Sequence, residues 1–103
     1  MAESAAGGEQ PVLTMVGDVD IATEPHWRQR GEELLTAHPD VPDVVVDMSG
    51  VTFLDSRGMA VLVDLHTRAL ERGGKLSLRD VPRRVVKALN VAGLDQVFQV
   101  DPA

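Results

Sequence analysis

The chain has 103 residues, a formal net charge of −6 and no cysteine. This length fits one domain, and the lack of cysteine excludes disulfides, thiolate chemistry and cysteine-built zinc sites. The negative charge argues against nucleic-acid binding. Hydrophobic residues make up 44% and charged residues 25%, which is ordinary globular usage and excludes overall disorder. With no signal-like apolar core and no apolar run of about 20 residues, we expect a cytoplasmic protein without a membrane segment.

The chain begins with a segment that lacks hydrophobic periodicity. Residues 1–10 are small and polar, and we expect a flexible N-terminal tail before one domain over residues 11–103. An apolar run at 12–16 predicts a strand that Gly17 ends, and residues 17–23 are typical of an acidic turn.

A helix, a strand and a loop are predicted next. Thr23 is a candidate N-cap for a helix that runs to about Ala37, although Gly31 inside it costs roughly 1 kcal/mol relative to alanine. Three consecutive valines at 44–46 predict a strand buried on both faces. Residues 49–55 are expected to form a loop or short turn.

The second half of the chain predicts two further helices and two further strands. One helix is expected from Ser56 to about Arg72, closed by paired glycines. The residues predicted to face inward are Met59, Leu62, Val63, Leu65, Ala69 and Leu70. A strand at 76–78, a helix opened by Pro82 and a strand at 97–100 follow. Strands that alternate with helices indicate an α/β domain, with a small, largely parallel or mixed sheet packed against helices.

Catalytic constellations are sparse in this sequence. Ser56 lacks the glycine-flanked turn of hydrolase nucleophiles, and His66 lies about 15 Å along the same helix, too far away to act as its base. His26 and His38 have no metal-ligand partner at helical spacing, and we expect all three histidines to face solvent. The sequence therefore predicts neither an enzyme nor a cofactor site.

Aspartates offer two alternative phosphate or metal sites. Asp18 and Asp20 fit either a Mg²⁺ or phosphoryl site or an acidic turn before the first helix, and we favour the turn. Asp47, in PDVVVDMSG, is expected at the carboxyl end of a buried strand, where response-regulator receivers carry their phospho-acceptor. An aspartate that bonds loop amides is the simpler interpretation, and metal binding is not expected.

Two helix starts carry further candidate residues. Arg83, Arg84 and Lys87 form a small basic patch, which we interpret as a solvated face or a local protein contact. Ser56 stands between a loop and a helix, where serine is a favoured N-cap. Because free amides at a helix start also favour a phosphate dianion, a phosphorylation switch is the alternative role.

Three segments, in order, carry a family resemblance. They are GDVD at 17–20, VVVDMSGVTFLDSRGMAVLV at 44–63 and GGKLSLRDVPRRVVKALNVAGLDQVFQV at 73–100. Together they resemble the anti-sigma factor antagonists, single STAS domains of the SpoIIAA kind, over about residues 12–100.

The resemblance implies a regulatory binding domain that is not an enzyme. By position, Ser56 matches the serine phosphorylated by the partner, an anti-sigma factor of the GHKL serine-kinase type. The unphosphorylated antagonist binds that kinase and frees the sigma factor, and a PP2C-type phosphatase restores the binding form. Asp20, Asp55 and Gly58 match positions around this site, and the expected partner-binding set adds Arg57 and Met59.

The sequence departs from the family pattern in three places. Arg57 stands where serine or threonine is usual, which places a cation beside the phospho-acceptor. Neither the first short strand nor the final helix of the family has a clear counterpart, so we expect a monomer or a weak homodimer. Two other functions stay open: an accessory STAS subunit of a transporter or signalling complex, and a receiver-like domain that uses Asp47.

Overall fold

The computed structural model describes residues 10–103, and most of the expected tail lies outside this part of the chain. Strands and helices alternate in the order β1 Val12–Val19, α1 Glu24–Ala37, β2 Val44–Leu54, α2 Ser56–Glu71, β3 Leu76–Val81, α3 Arg83–Val91 and β4 Gln99–Pro102. A single 3-10 turn, Leu94–Gln96, precedes β4. The four strands form one parallel sheet in the order β1-β2-β3-β4, which confirms the α/β prediction.

The helices cover one face of this sheet. In β1, Leu13 and Met15 are fully buried while Val12 and Val16 are exposed, as expected for a strand with one covered face. Side chains of all three helices join the buried row of β1 in one hydrophobic cluster. None of the helices described within residues 10–103 combines the length and the apolarity needed to cross a bilayer.

The first two strands are longer than the sequence pattern predicts. Gly17 lies inside β1 rather than at its end, with a φ of +76° and a shift in pairing register directly after it. β2 continues to Leu54, so the expected loop at 49–55 is wrong for all but its last residue. The second half of β2 is stabilised by pairing with the end of β1, from Val16↔Gly50 to Val19↔Leu54.

The helices agree with the predicted periodicity apart from one position. Leu62, Leu65 and Ala69 of α2 are buried, whereas Leu70, predicted to face inward, is 56% exposed. The inward place in the last turn of α2 is taken by Ala69, and the next residue points about 100° away from it. The glycine after this helix, Gly73, has a φ of +83°, which confirms the predicted helix end.

The last two strands also differ from their predicted limits. β3 extends beyond 76–78 to Val81. β4 begins at Gln99 instead of 97, because residues 97 and 98 close the 3-10 turn with backbone hydrogen bonds to Leu94. Pro82 is the N-cap of α3, as the prediction of a helix at this proline requires.

Candidate functional site at the start of helix α2

The ends of β1 and β2 place two aspartates side by side. Val19 and Leu54, the last residues of these strands, are register partners in the sheet. Asp20 and Asp55 follow them directly, and the backbone N–H of Asp55 donates to the carbonyl of Val19 at 3.3 Å. The helices α1 and α2 therefore start next to each other, at the carboxyl edge of the sheet.

Both aspartates hold the backbone of the turn that they begin. The Oδ1 atom of Asp20 accepts from the N–H groups of Ala22 and Thr23, at 3.0 and 3.1 Å. The Oδ1 atom of Asp55 accepts from those of Arg57 and Gly58, at 2.9 and 3.0 Å. The Asp55 carboxylate thus satisfies amides that the start of α2 leaves without a partner, whereas Asp20 holds the turn that precedes α1.

Asp55, and not Ser56, is the N-cap of α2. Ser56 is the first helical residue, and its side chain is exposed. The interpretation of Ser56 as a capping residue is therefore wrong by one position, because the aspartate before it already fills that role. The serine hydroxyl is left at the surface and makes no hydrogen bond within residues 10–103.

Gly58 and Met59 lie on the inner side of the same turn. Gly58 is buried, and a Cβ atom added there would lie 2.3 Å from the carbonyl oxygen of Val19. Only glycine allows α2 to approach the end of β1 this closely. Met59 is half-buried and packs against the core cluster, so both residues position the helix start from below.

Arg57 points toward α1. Its Nη1 atom lies 3.5 Å from Oε1 of Glu24, the first residue of α1. Glu24 also receives a hydrogen bond from Nε of Arg28 at 2.8 Å, and Arg28 pairs in addition with Asp64 of α2. These hydrogen bonds, first that of Asp64 and then that of Glu24, raise the pKa of Arg28 above its ordinary value. The cation beside Ser56 thus belongs to a network of charges between the two helices.

The Asp-x-Asp pair is part of the turn structure. Asp18 accepts a hydrogen bond from the Thr52 hydroxyl at 2.7 Å, while Asp20 binds the amides described above. Thr23 is the N-cap of α1 by position, but its hydroxyl donates to the carbonyl of Asp18 instead of capping the helix. Within residues 10–103 there is no group of three or more His, Cys, Asp or Glu side chains suited to a metal ion.

Asp47 is not at the carboxyl end of its strand. It lies inside β2, which continues to Leu54, and its register partner in β3 is Arg79. The backbone N–H of Ser49, 2.9 Å from Oδ1, lowers the pKa of Asp47, with further contributions from the Ser49 hydroxyl and the charge of Arg79. A receiver needs its aspartate at the strand end, so this position does not fit the receiver interpretation.

The histidines differ from one another. His26 and His38 are exposed, as expected. His66 is half-buried: its ring meets Phe98 edge-on with centroids 5.7 Å apart, and its buried Nδ1 atom has no hydrogen-bond partner within residues 10–103. The expectation that His66 faces solvent is wrong, because the chain between α3 and β4 covers it.

Sequence reasoning did not find the residue that holds Arg57. Glu24 shows only a helical i, i+4 spacing to Arg28 in the sequence, which is a common surface pattern. Its contact with Arg57 joins two helix starts that are far apart in the sequence. Only the adjacent helix starts reveal it.

A STAS domain is the class of protein that this fold and helix start define, and the chain belongs to that family. The family model described as "Mlab, STAS domain" matches residues 2–100. The curated anti-sigma-B factor antagonist of Bacillus subtilis is 23% identical over 88 residues, which cover 85% of this chain and 78% of that protein. The resemblance to STAS-domain antagonists is thereby confirmed.

Solved structures give the same fold. An anti-sigma factor antagonist from Mycobacterium paratuberculosis superposes with a TM-score of 0.77 at 24% identity, covering 89% of this chain and 76% of that one. A sulfate transporter family protein from Wolinella succinogenes superposes with a TM-score of 0.72 at 21% identity, covering 87% and 74%. At this identity the likeness describes the fold.

Proposed function

We propose that this chain is an anti-sigma factor antagonist controlled by phosphorylation of Ser56. In the unphosphorylated form it binds an anti-sigma factor of the GHKL serine-kinase type and so releases a sigma factor. Phosphorylation of Ser56 by that kinase ends the binding, and a PP2C-type phosphatase restores it. In this cycle the chain is a substrate and a binding partner, without catalytic residues of its own.

The observation that carries the proposal is the exposed Ser56 hydroxyl beside a complete cap. Because Asp55 already accepts hydrogen bonds from the amides of Arg57 and Gly58, modification of the serine removes no hydrogen bond from the helix start. A phosphoryl group adds about −1.5 to −2 charges, and the helix start partly offsets its repulsion from Asp55. We therefore expect the phosphorylated domain to stay folded.

We expect phosphorylation to weaken the binding of the partner instead. A dianion buried against a surface that evolved to meet a neutral hydroxyl is costly to desolvate. The proposed contact surface consists of Ser56 together with Asp20, Asp55 and Arg57. Gly58 and Met59 pack beneath it and fix the position of the start of α2. The similarity to a protein named an anti-sigma-B factor antagonist supports this assignment of partner.

Phosphorylation by a cognate kinase tests the site directly. The protein is incubated with the kinase and ATP and then analysed by peptide mass spectrometry, beside Ser56→Ala and Ser49→Ala. Ser49 is also exposed but lies inside β2, so it is a matched control. We expect phosphate in the wild type and in Ser49→Ala, and none in Ser56→Ala. Phosphate on another residue refutes the assignment.

Titration calorimetry with the same kinase tests the switch. Ser56→Ala should bind as tightly as the unmodified protein, Ser56→Asp much more weakly, and circular dichroism should find both folded. Equal affinity of the two variants contradicts the proposal.

A second candidate is an accessory subunit of a membrane transporter. The family model carries the name Mlab, and one structural neighbour is a sulfate transporter family protein. In that role Ser56 need not be phosphorylated. Constitutive co-purification of the tagged chain with a membrane ATPase favours this candidate, whereas ATP-dependent release from a kinase favours the antagonist.

A further inference from the structure

We propose that the groove between α3 and the end of β2 is a second docking surface, which binds a short acidic and partly apolar segment of the partner protein. This inference rests on the proposed function, because it assigns the surface to the same partner. The groove has a volume of about 890 Å³, and the residues that line it include Val51, Thr52, Arg83, Arg84, Val86 and Lys87.

The groove has a cationic wall. Arg83, Arg84 and Lys87 lie on the exposed side of α3, opposite its buried residues Val85 and Leu89. Within residues 10–103 none of the three forms a salt bridge, although Arg28, Arg30, Arg57 and Arg68 all do. In a chain of net charge −6, three neighbouring cations without acidic partners form a local site of opposite sign.

The floor of the groove is apolar. Val51 is buried at 4% exposure, and Val86 is partly buried against the core cluster. Cations above an apolar floor suit a segment in which acidic side chains alternate with apolar ones. α3 has nine residues and a length of about 13 Å, so an extended segment of roughly four residues spans it.

The position of the groove favours the partner protein as the source of this segment. Thr52 lines it, and Ser56 follows four residues later at the same edge of the sheet. Asp18 accepts a hydrogen bond from the hydroxyl of Thr52, a lining residue, and Asp55 follows β2 directly, so a long polyanion such as nucleic acid would extend from the cations onto these carboxylates. A short acidic segment of a protein seated on Ser56 has room to lie over Arg83, Arg84 and Lys87 alone, so it meets less of this repulsion.

The test uses a fluorescein-labelled peptide of about ten residues with alternating Glu and Leu, and a Gln and Leu peptide as control. Fluorescence anisotropy with the full chain at low salt should give a Kd below about 1 mM for the acidic peptide, weakening as salt rises. Arg84→Gln/Lys87→Gln should weaken binding by about tenfold. The double variant Arg30→Gln/Lys75→Gln, which removes two cations elsewhere on the surface, should change it by less than about twofold.

Three results overturn the proposal: no binding of the acidic peptide, equal binding of the Gln and Leu peptide, or equal losses in the two double variants. Analytical ultracentrifugation adds a fourth. Self-association of the chain that disappears in Arg84→Gln/Lys87→Gln makes a second copy the occupant and removes the partner assignment. No kinase is present in these assays, so they test peptide binding in the groove independently of whether Ser56 is phosphorylated. Failure of this proposal can therefore be distinguished from failure of the proposed function.

Discussion

Removal of Arg57 should alter the proposed phosphorylation switch more than the stability of the fold. Arg57 is 58% exposed at its side chain and pairs with Glu24 at 3.5 Å, and an exposed pair of this kind contributes about 0–1 kcal/mol. Since Arg28 stays on Glu24 in Arg57→Ser, we expect the loss in the lower half of that range. For a domain of this size this lowers Tm by at most about 4 °C.

The phosphorylated protein offers Arg57 a second partner. A phosphoryl group on Ser56 would carry about −1.5 to −2 charges on the residue before Arg57, and we expect it to compete with Glu24 for the guanidinium. An Arg57 side chain bound to the phosphate partly neutralises the dianion and so reduces the loss of affinity for the partner. Arg57→Ser should therefore widen the affinity gap between unmodified and phosphorylated protein, by up to about fivefold.

Glu24→Gln gives the opposite expectation and is the matched variant. With Glu24 neutral, Arg57 turns to the phosphate more readily, so the affinity gap should narrow. Titration calorimetry of wild type, Arg57→Ser and Glu24→Gln against the kinase, each in both phosphorylation states, measures the three gaps. If both variants shift the gap in the same direction, or neither shifts it, the competition between Glu24 and phosphate is refuted.

Three further predictions concern the fold around the site. Gly58→Ala should lower the free energy of unfolding in urea by about 1–3 kcal/mol, because its Cβ would lie 2.3 Å from the Val19 carbonyl oxygen. Gly31→Ala is the control and should be near neutral, because its Cβ would meet only a leucine side-chain atom at 3.0 Å. Similar losses in the two variants would contradict the role of close approach. Asp55→Ala should cost about 0.5–2 kcal/mol as the loss of a helix cap, with an unchanged unfolding midpoint as the contrary result. The fold lowers the pKa of Asp47, so its carboxylate stabilises the protein above its unfolded pKa of about 3.9 and loses this contribution as the pH falls through the lower folded value. Thermal melts of Asp47→Asn should therefore lie below wild type at pH 7 and approach it below about pH 4; a difference independent of pH would refute this sign.

The sequence was sufficient to predict the helices and the order of the elements. The second and third helices have a strong 3.6-residue apolar pattern, and Gly73 and Pro82 mark their limits. The pattern of α1 is weaker, since it buries only Trp27, Gly31 and Leu35. The α/β class follows from that alternation alone. The choice between Asp55 and Ser56 as N-cap was not predictable, because both are good capping residues at adjacent positions and only the dihedral angles separate them.

Sequence reasoning failed where pairing with a distant strand decides the structure. Residues 49–54 contain a glycine, a serine and a threonine, which taken alone are typical of a loop. They form the second half of β2 because β1 pairs with them across two shifts in register. The wrong position for Asp47 followed directly from the missing half-strand.

The unequal lengths of β2 and β3 connect the two proposed surfaces. β2 has 11 residues and β3 has six, and the pairing between them covers only Val44–Asp47 of β2. The rest of β2 is paired on the β1 side alone and extends by roughly 23 Å. At its far end this projecting half of β2 delivers Asp55 and Ser56 to the surface, and along its open side it leaves the groove that α3 lines with cations. A single structural feature, a strand prolonged by pairing with β1, thus sets the distance between Ser56, the proposed phospho-acceptor, and the cationic groove. Shortening β2 by disrupting the pairing of Val16 with Gly50 should therefore weaken both kinase binding at Ser56 and peptide binding in the groove. By contrast, Arg57→Ser should change only the first, and Arg84→Gln/Lys87→Gln only the second.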